Sequence, residues 1–131
     1  MTDEEQIRDV VARWHAATAA GDVARILPLM AEDAVFLTPG QPPMRGRDEF
    51  ASRLRPLLEK ARIESSAEPQ EIRVAGDLAY CWSELRVAVI PRDSAPPSRR
   101  AGPTLTIFRR EADGRWVLFR DANMLTAEAA G

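Results

Sequence analysis

The sequence predicts an α+β domain, on three observations. Apolar residues recur at helical intervals through the first half of the chain and at strand-like alternation through the second. The change falls at one stretch, Asp33-Ala34-Val35-Phe36-Leu37-Thr38-Pro39-Gly40, where a short apolar strand meets a Pro-Gly break. Three helices around one short strand, then an antiparallel meander, is an α+β order of elements. The 131 residues are most simply one domain, 1–131, and 45% hydrophobic residues suffice for a core.

Thr2 and Glu5 have the spacing of a capping box, which starts the first helix. Ile7, Val10, Val11, Trp14 and Thr18 share one face of it, and Gly21 ends it. Asp22 caps a second helix, roughly 23–31, that buries Ile26, Leu27 and Met30. Pro28 removes a hydrogen bond from this helix and should shorten or kink it. Beyond Gln41-Pro42-Pro43-Met44-Arg45-Gly46-Arg47, Asp48 begins a third helix with Phe50, Leu54, Leu57, Leu58 and Ala61 on its buried side and a bend or break at Pro56. Ile72 and Val74 alternate with Glu71 and Arg73 as a strand, with Pro69 at its edge or at a bulge. Ala75-Gly76-Asp77 is a turn, and Leu78 to Ile90 is a long strand. A loop of Pro, Ser and Arg fills 91–103, and a strand runs from Thr104 to Arg110. Asp113-Gly114 signals a hairpin before the last strand, Trp116 to Leu125, which is followed by a small-residue tail expected to fray.

Composition narrows the function classes. A formal net charge of −2 gives no basic footprint for nucleic acid. The acidic start, Met-Thr-Asp-Glu-Glu-Gln, does not read as a signal peptide, and no apolar run reaches the roughly 20 residues of a membrane helix. Cys81 is the single cysteine, which excludes an internal disulfide and fits a cytoplasmic setting. With one histidine and one cysteine, no metal site is expected, and no motif calls for a cofactor. The strands carry apolar groups on both faces, whereas three short helices cover one. A homodimer through the outer sheet face is the economical reading, and a few tolerated exposed apolar groups are the alternative.

Gly21-Asp22, Asp33-Ala34 and Pro39-Gly40-Gln41-Pro42-Pro43-Met44-Arg45-Gly46-Arg47 resemble the Δ5-3-ketosteroid isomerases and, more broadly, the nuclear transport factor 2 superfamily with its SnoaL-like polyketide cyclases. Gly114-Arg115-Trp116 through Arg120-Asp121-Ala122-Asn123 is similar to the SgcJ/EcaC-type branch. The resemblance spans about residues 5–125. It implies a cone-shaped, cystatin-like fold: three N-terminal helices packed on a strongly curved antiparallel sheet around a deep pocket, usually dimeric. It is weak for activity, because one cone hosts many functions. The isomerases use a carboxylate base, a tyrosine and a protonated aspartic acid. Matched motif by motif, these positions hold Thr38, Trp14 and Thr106. All three depart, so isomerisation by that mechanism is not expected.

The same matching sets strand parity. It implies that Tyr80, Trp82, Glu84, Thr104, Thr106, Phe119, Asp121 and Asn123 line the cavity with Trp14, Phe36 and Thr38, while Cys81 and Ser83 point outward. Such a lining suits a small apolar or aromatic ligand with a few oxygens. Asp121 is the candidate catalytic residue: an apolar cone raises its pKa toward the range where a carboxyl works as general acid or base. The competing reading pairs it with Arg86 or Arg120. Glu84 is either a second carboxylate or a rim residue bound to Arg86 or Arg100. His15, about 100° around the helix from Trp14, is either the neutral-pH base or a satisfied core or rim residue. Arg92, Arg99 and Arg100 make the 91–103 loop either a basic lid or a solvated loop. Function therefore reads first as a small-molecule pocket protein with proton-transfer chemistry of isomerase, cyclase or dehydratase type. The alternative is a non-catalytic dimeric binding or association module.

Overall fold

A computed structural model describes residues 1–128. The order is α1 (Asp3–Ala19), α2 (Val23–Ile26), a 3₁₀ turn (Leu27–Leu29), β1 (Met30–Leu37), β2 (Met44–Arg45), α3 (Gly46–Lys60), β3 (Ala61–Ala75), β4 (Leu78–Pro91), β5 (Ser98–Arg110), β6 (Trp116–Asn123) and β7 (Thr126–Ala127). The strands form one curved sheet in the order β2-β1-β6-β5-β4-β3, with β7 on β5. It is an α+β, cystatin-like fold with the helices against the sheet. The sheet is mixed rather than antiparallel: β1 runs parallel to β6, Val35 opposite Arg120 and Phe36 opposite Asp121. The helical N-terminal segment delivers β1 to a place next to the sheet's edge, between the two-residue β2 and the last long strand.

The start of α1 is fixed by the expected capping box, with the Glu5 amide donating to Thr2 Oγ1 at 3.1 Å. Trp116 Nε1 and Arg110 Nη1 donate to Asp3 Oδ1 at 3.1 and 3.3 Å, pinning this end to β6 and β5. Ile7, Val10 and Ala17 bury into a core with Ile26, Met30, Phe108 and Val117. Pro28 shortens α2 more than expected: the α-helix stops at Ile26, and Met30 is already extended. A proline that cannot donate is tolerated early in the 3₁₀ turn, where the amide would lack a partner anyway.

Helix α3 begins at Gly46, before Asp48, and runs through Pro56 without a break. Arg47 donates twice to the Met30 carbonyl, at 2.8 and 3.1 Å, tying α3 to β1. Of its expected buried side, Phe50, Leu54 and Leu58 are half-buried, Leu57 is exposed and Ala61 is buried at the start of β3; Phe50 and Leu54 pack against the core. Strand β3 starts at Ala61, far earlier than alternation at Ile72 suggested. Residues 61–68 are poor strand formers, and their state comes from pairing along nearly the whole of β4. Pro69 sits on this edge strand next to a register shift, as expected. The 91–103 loop is shorter than expected, since pairing extends to Val89 opposite Ser98 and leaves 92–97 between the strands. The last long strand ends at Asn123, and β7 follows where fraying was expected; the tail beyond 128 lies outside the described residues.

Candidate functional site

Register decides which side chains meet, because directly paired residues share a sheet face. One row crosses the sheet as Phe36–Asp121–Thr106–Cys81–Ile72. Its neighbour runs Leu37–Ala122–Leu105–Trp82–Glu71 and points the other way. The first row faces the helices. There Val10, Val11, Trp14 and His15 of α1 close a cavity of about 90 Å³ with Phe36, Ala67, Ser83, Leu85, Thr104, Thr106, Phe108, Leu118 and Asp121.

Asp121 is the one carboxylate of this lining. Thr106 Oγ1 donates to its Oδ1 at 2.7 Å. Burial pushes its pKa from 3.8 up to about 6, against the opposing pull of the Thr106 and Thr104 hydroxyls. Among the described residues no arginine pairs with it: Arg86 binds Glu128 at 3.3 Å, and Arg120 donates to the carbonyls of Asp33 and Phe119. The roof is aromatic. Trp14 meets Phe36 and Phe50 at ring distances of 6.0 and 5.5 Å, and Phe36 meets Phe50 at 5.0 Å. His15 Nδ1 lies 2.6 Å from Ser65 Oγ on β3, and burial lowers the histidine pKa.

The structure brings Trp14, Phe36, Thr104, Thr106 and Asp121 together and leaves the other expected lining residues elsewhere. Thr38 lies past the last paired residue of β1, and its carbonyl accepts from the Gln41 amide at 3.1 Å. Proline at position 39 and positive φ at Gly40 suit that turn. Asn123 pairs with Thr104 at the rim, its Oδ1 accepting from the Leu125 amide. Phe119 sits where the β5–β6 register shifts, with the guanidinium groups of Arg109 and Arg120 over its ring at 4.4 and 3.8 Å.

Tyr80, Trp82 and Glu84 are reversed in parity: they point away from the helices. Pairing of Cys81 with Thr106 and Ser83 with Thr104 forces the odd positions of β4 inward, because Thr104 and Thr106 face in. Tyr80 instead donates its hydroxyl to Glu71 Oε1 at 2.6 Å, and Glu84 is exposed, with no ion pair among the described residues. Cys81 and Ser83, expected outside, are buried. Burial raises the Cys81 pKa, which holds it as a thiol. Sequence reasoning passed over Val10, Val11, Ala67, Ser83, Leu85, Phe108 and Leu118. The helical ones were legible as the apolar face of α1, whereas Ser83 and Leu85 needed the register. Among the described residues no group of His, Cys, Asp and Glu could hold a metal ion, and no helix is long and apolar enough to cross a membrane.

Solved structures share this architecture. A conserved protein from Planctomyces limnophilus is 38% identical, covers 96% of this chain and 98% of its own, and superposes with a TM-score of 0.91. A ketosteroid isomerase-like protein from Erwinia carotovora atroseptica is 20% identical over 99% and 100%, with a TM-score of 0.81. A proposed dehydratase of the nuclear transport factor 2-like family from Streptomyces avermitilis is 20% identical over 98% and 97%, at 0.77. The latter two share the fold. No functionally curated protein matches the chain. The SnoaL-like domain pattern matches residues 11–119, most of the chain, and the protein belongs to the SnoaL-like domain family.

Proposed function

We propose that the cavity binds a small, largely apolar ring compound carrying oxygen, and that Asp121 performs proton transfer on it as general acid and base. The observation that carries this reading is a lone carboxyl in an apolar cavity, bonded to Thr106 and with a pKa of about 6. A group with that pKa is populated in both protonation states near neutral pH, which is what acid–base work requires. Isomerisation, cyclisation or dehydration all fit such a group, and dehydratase is the activity proposed for two structural relatives. The ketosteroid isomerase mechanism does not fit, because its three positions hold Trp14, Thr38 and Thr106. The test is native mass spectrometry of the purified protein to identify what co-purifies, followed by turnover of that compound. Asp121→Asn should lower turnover by about 10²-fold or more; unchanged turnover and affinity would remove the catalytic role.

A second reading concerns assembly. Leu37, Leu105 and Trp82 lie in one outward row and are 48%, 40% and 36% exposed. A row of that kind favours self-association through the outer face, and a cytoplasmic homodimer is the form proposed. If binding is all the protein does, this face makes it a dimeric association module. Sedimentation at tens of micromolar should give a dimer that Trp82→Glu converts to monomer; a monomeric wild type sinks the idea.

A further inference from the structure

The cavity lining carries two ionisable side chains, and Asp121 accounts for only one. On the sheet, the Asp121 carboxyl accepts from Thr106, and the hydroxyls of Thr104 and Ser83 share the lining. His15 lines the same cavity from α1. Its Nδ1 is engaged by Ser65 Oγ at 2.6 Å, which fixes the ring plane and leaves Nε2 as the remaining polar atom. Among the described residues Nε2 has no protein partner, and no buried side-chain nitrogen or oxygen is unpaired. It follows that Nε2 stays open to the cavity or to solvent. The rest of the lining, Val10, Val11, Trp14, Phe36, Phe108 and Leu118 among it, offers no other ionisable group.

Size restricts the ligand further. The cavity measures about 90 Å³, and an apolar cavity of roughly 150 Å³ is known to take benzene. Even a single ring must therefore protrude from the cavity or widen it, and nothing larger than one ring can be buried. Fused rings would have to displace Trp14 or Phe36, which brace each other and Phe50.

We infer that the pocket recognises a one-ring compound bearing two oxygens, one held by Asp121 with Thr106 and the other by His15 Nε2, with Ser65 as the residue that positions the imidazole. This rests on the proposed small-molecule pocket and narrows its ligand class. The pairing is chemically consistent at neutral pH. An ionised Asp121 accepts a hydroxyl proton. A neutral imidazole, favoured by burial, offers Nε2 as donor or acceptor according to its tautomer, and a hydroxyl meets either. Ser65 can donate to Nδ1 or accept from it, so it steadies both tautomers.

His15 is the single histidine of the chain, so its imidazole gives one unambiguous NMR signal. The experiment titrates phenol, resorcinol, hydroquinone (under anaerobic conditions) and 1-naphthol into the protein at pH 7.5. One or both dihydroxybenzenes should move the His15 Cε1–H resonance and bind about tenfold more tightly than phenol, the scale of one added hydrogen bond. In His15→Phe, that preference over phenol should vanish while phenol still binds; Ser65→Ala should weaken it with His15 present. Thermal unfolding verifies that both variants fold, and His15→Gln replaces the phenylalanine variant if that one does not. An unmoved His15 signal, a preference that survives in His15→Phe and Ser65→Ala, or 1-naphthol binding as tightly as the dihydroxybenzenes overturns the inference. Asp121→Asn separates the two proposals. If it abolishes turnover while the His15 shift persists, both stand. If turnover is unchanged but dihydroxybenzene affinity drops, the catalytic reading falls and the His15 signal still decides this one; if that affinity is unchanged too, the Asp121 contact inferred here falls with it.

Discussion

Replacing Asp121 with asparagine should make the protein more stable at neutral pH and leave it little changed near pH 4. The folded-state pKa is about 6, against an ordinary value of 3.8. Below both values the carboxyl is protonated in the folded and unfolded chains, and it has no pH-linked effect. Between them the unfolded chain loses the proton while the folded one keeps it, so the folded state binds more protons and stability falls as pH rises. Above about pH 6 both forms are ionised, and the penalty is constant. A rise of about two pH units at about 1.4 kcal/mol each gives roughly 3 kcal/mol. Asparagine has nearly the same shape, and its carbonyl can still accept from Thr106 Oγ1, so the substitution removes mainly the charge. Urea unfolding of both proteins from pH 4 to pH 8 measures this. Taking the difference cancels the contributions of all other titrating groups. The stability difference in favour of asparagine should grow between about pH 4 and 6 and then level off. A flat difference, or one that grows as pH falls, would refute the argument that burial dominates at Asp121, and with it the main physical support for acid–base catalysis there.

Two further predictions concern the scaffold. A Cβ built on Gly102 would sit 2.5 Å from the Met124 carbonyl oxygen, in backbone that is tied down by the Met124 amide donating to Pro103. Gly102→Ala should therefore lower stability by about 1–3 kcal/mol, read as a reduced urea midpoint. Thr2→Ala removes the side-chain cap of α1 and should destabilise by about 1 kcal/mol, with Thr2→Ser restoring most of the loss.

How much was legible in the sequence depended on whether a signal was local. The capping box at Thr2 and Glu5, the cap at Asp22 and the Pro39-Gly40 turn involve neighbours a few residues apart, and the structure has each of them. Asp121 was placed in the cavity by the family resemblance, which set the parity of its strand, and it lines the cavity in the structure. The errors were those of pairing. In β4 both faces carry apolar residues, so alternation alone cannot say which is inside, and a one-residue choice put Tyr80, Trp82 and Glu84 in the cavity. Only Cys81 opposite Thr106 resolves it. Residues 61–68 are strand because β4 lies beside them, which no composition reveals. His15 was visible as a lone histidine, but its partner Ser65 is fifty positions away.

The parallel contact of β1 with β6 has a consequence for the order of events during folding. Val35 finds its partner, Arg120, only after nearly the whole chain exists. Hairpins such as β3–β4 and β4–β5 can close early, since their partners are near in sequence. The β1–β6 seam must wait, and pairings of such wide separation are slow because a large loop has to be ordered first. Until β6 arrives, β1 exposes Met30, Ala31, Ala34 and Phe36, all buried in the finished protein. The same late step brings Asp121 beside Phe36 and Thr106. The carboxyl is thus desolvated in the closing act of folding, and appearance of its raised pKa would serve as a clock for completion of the native state.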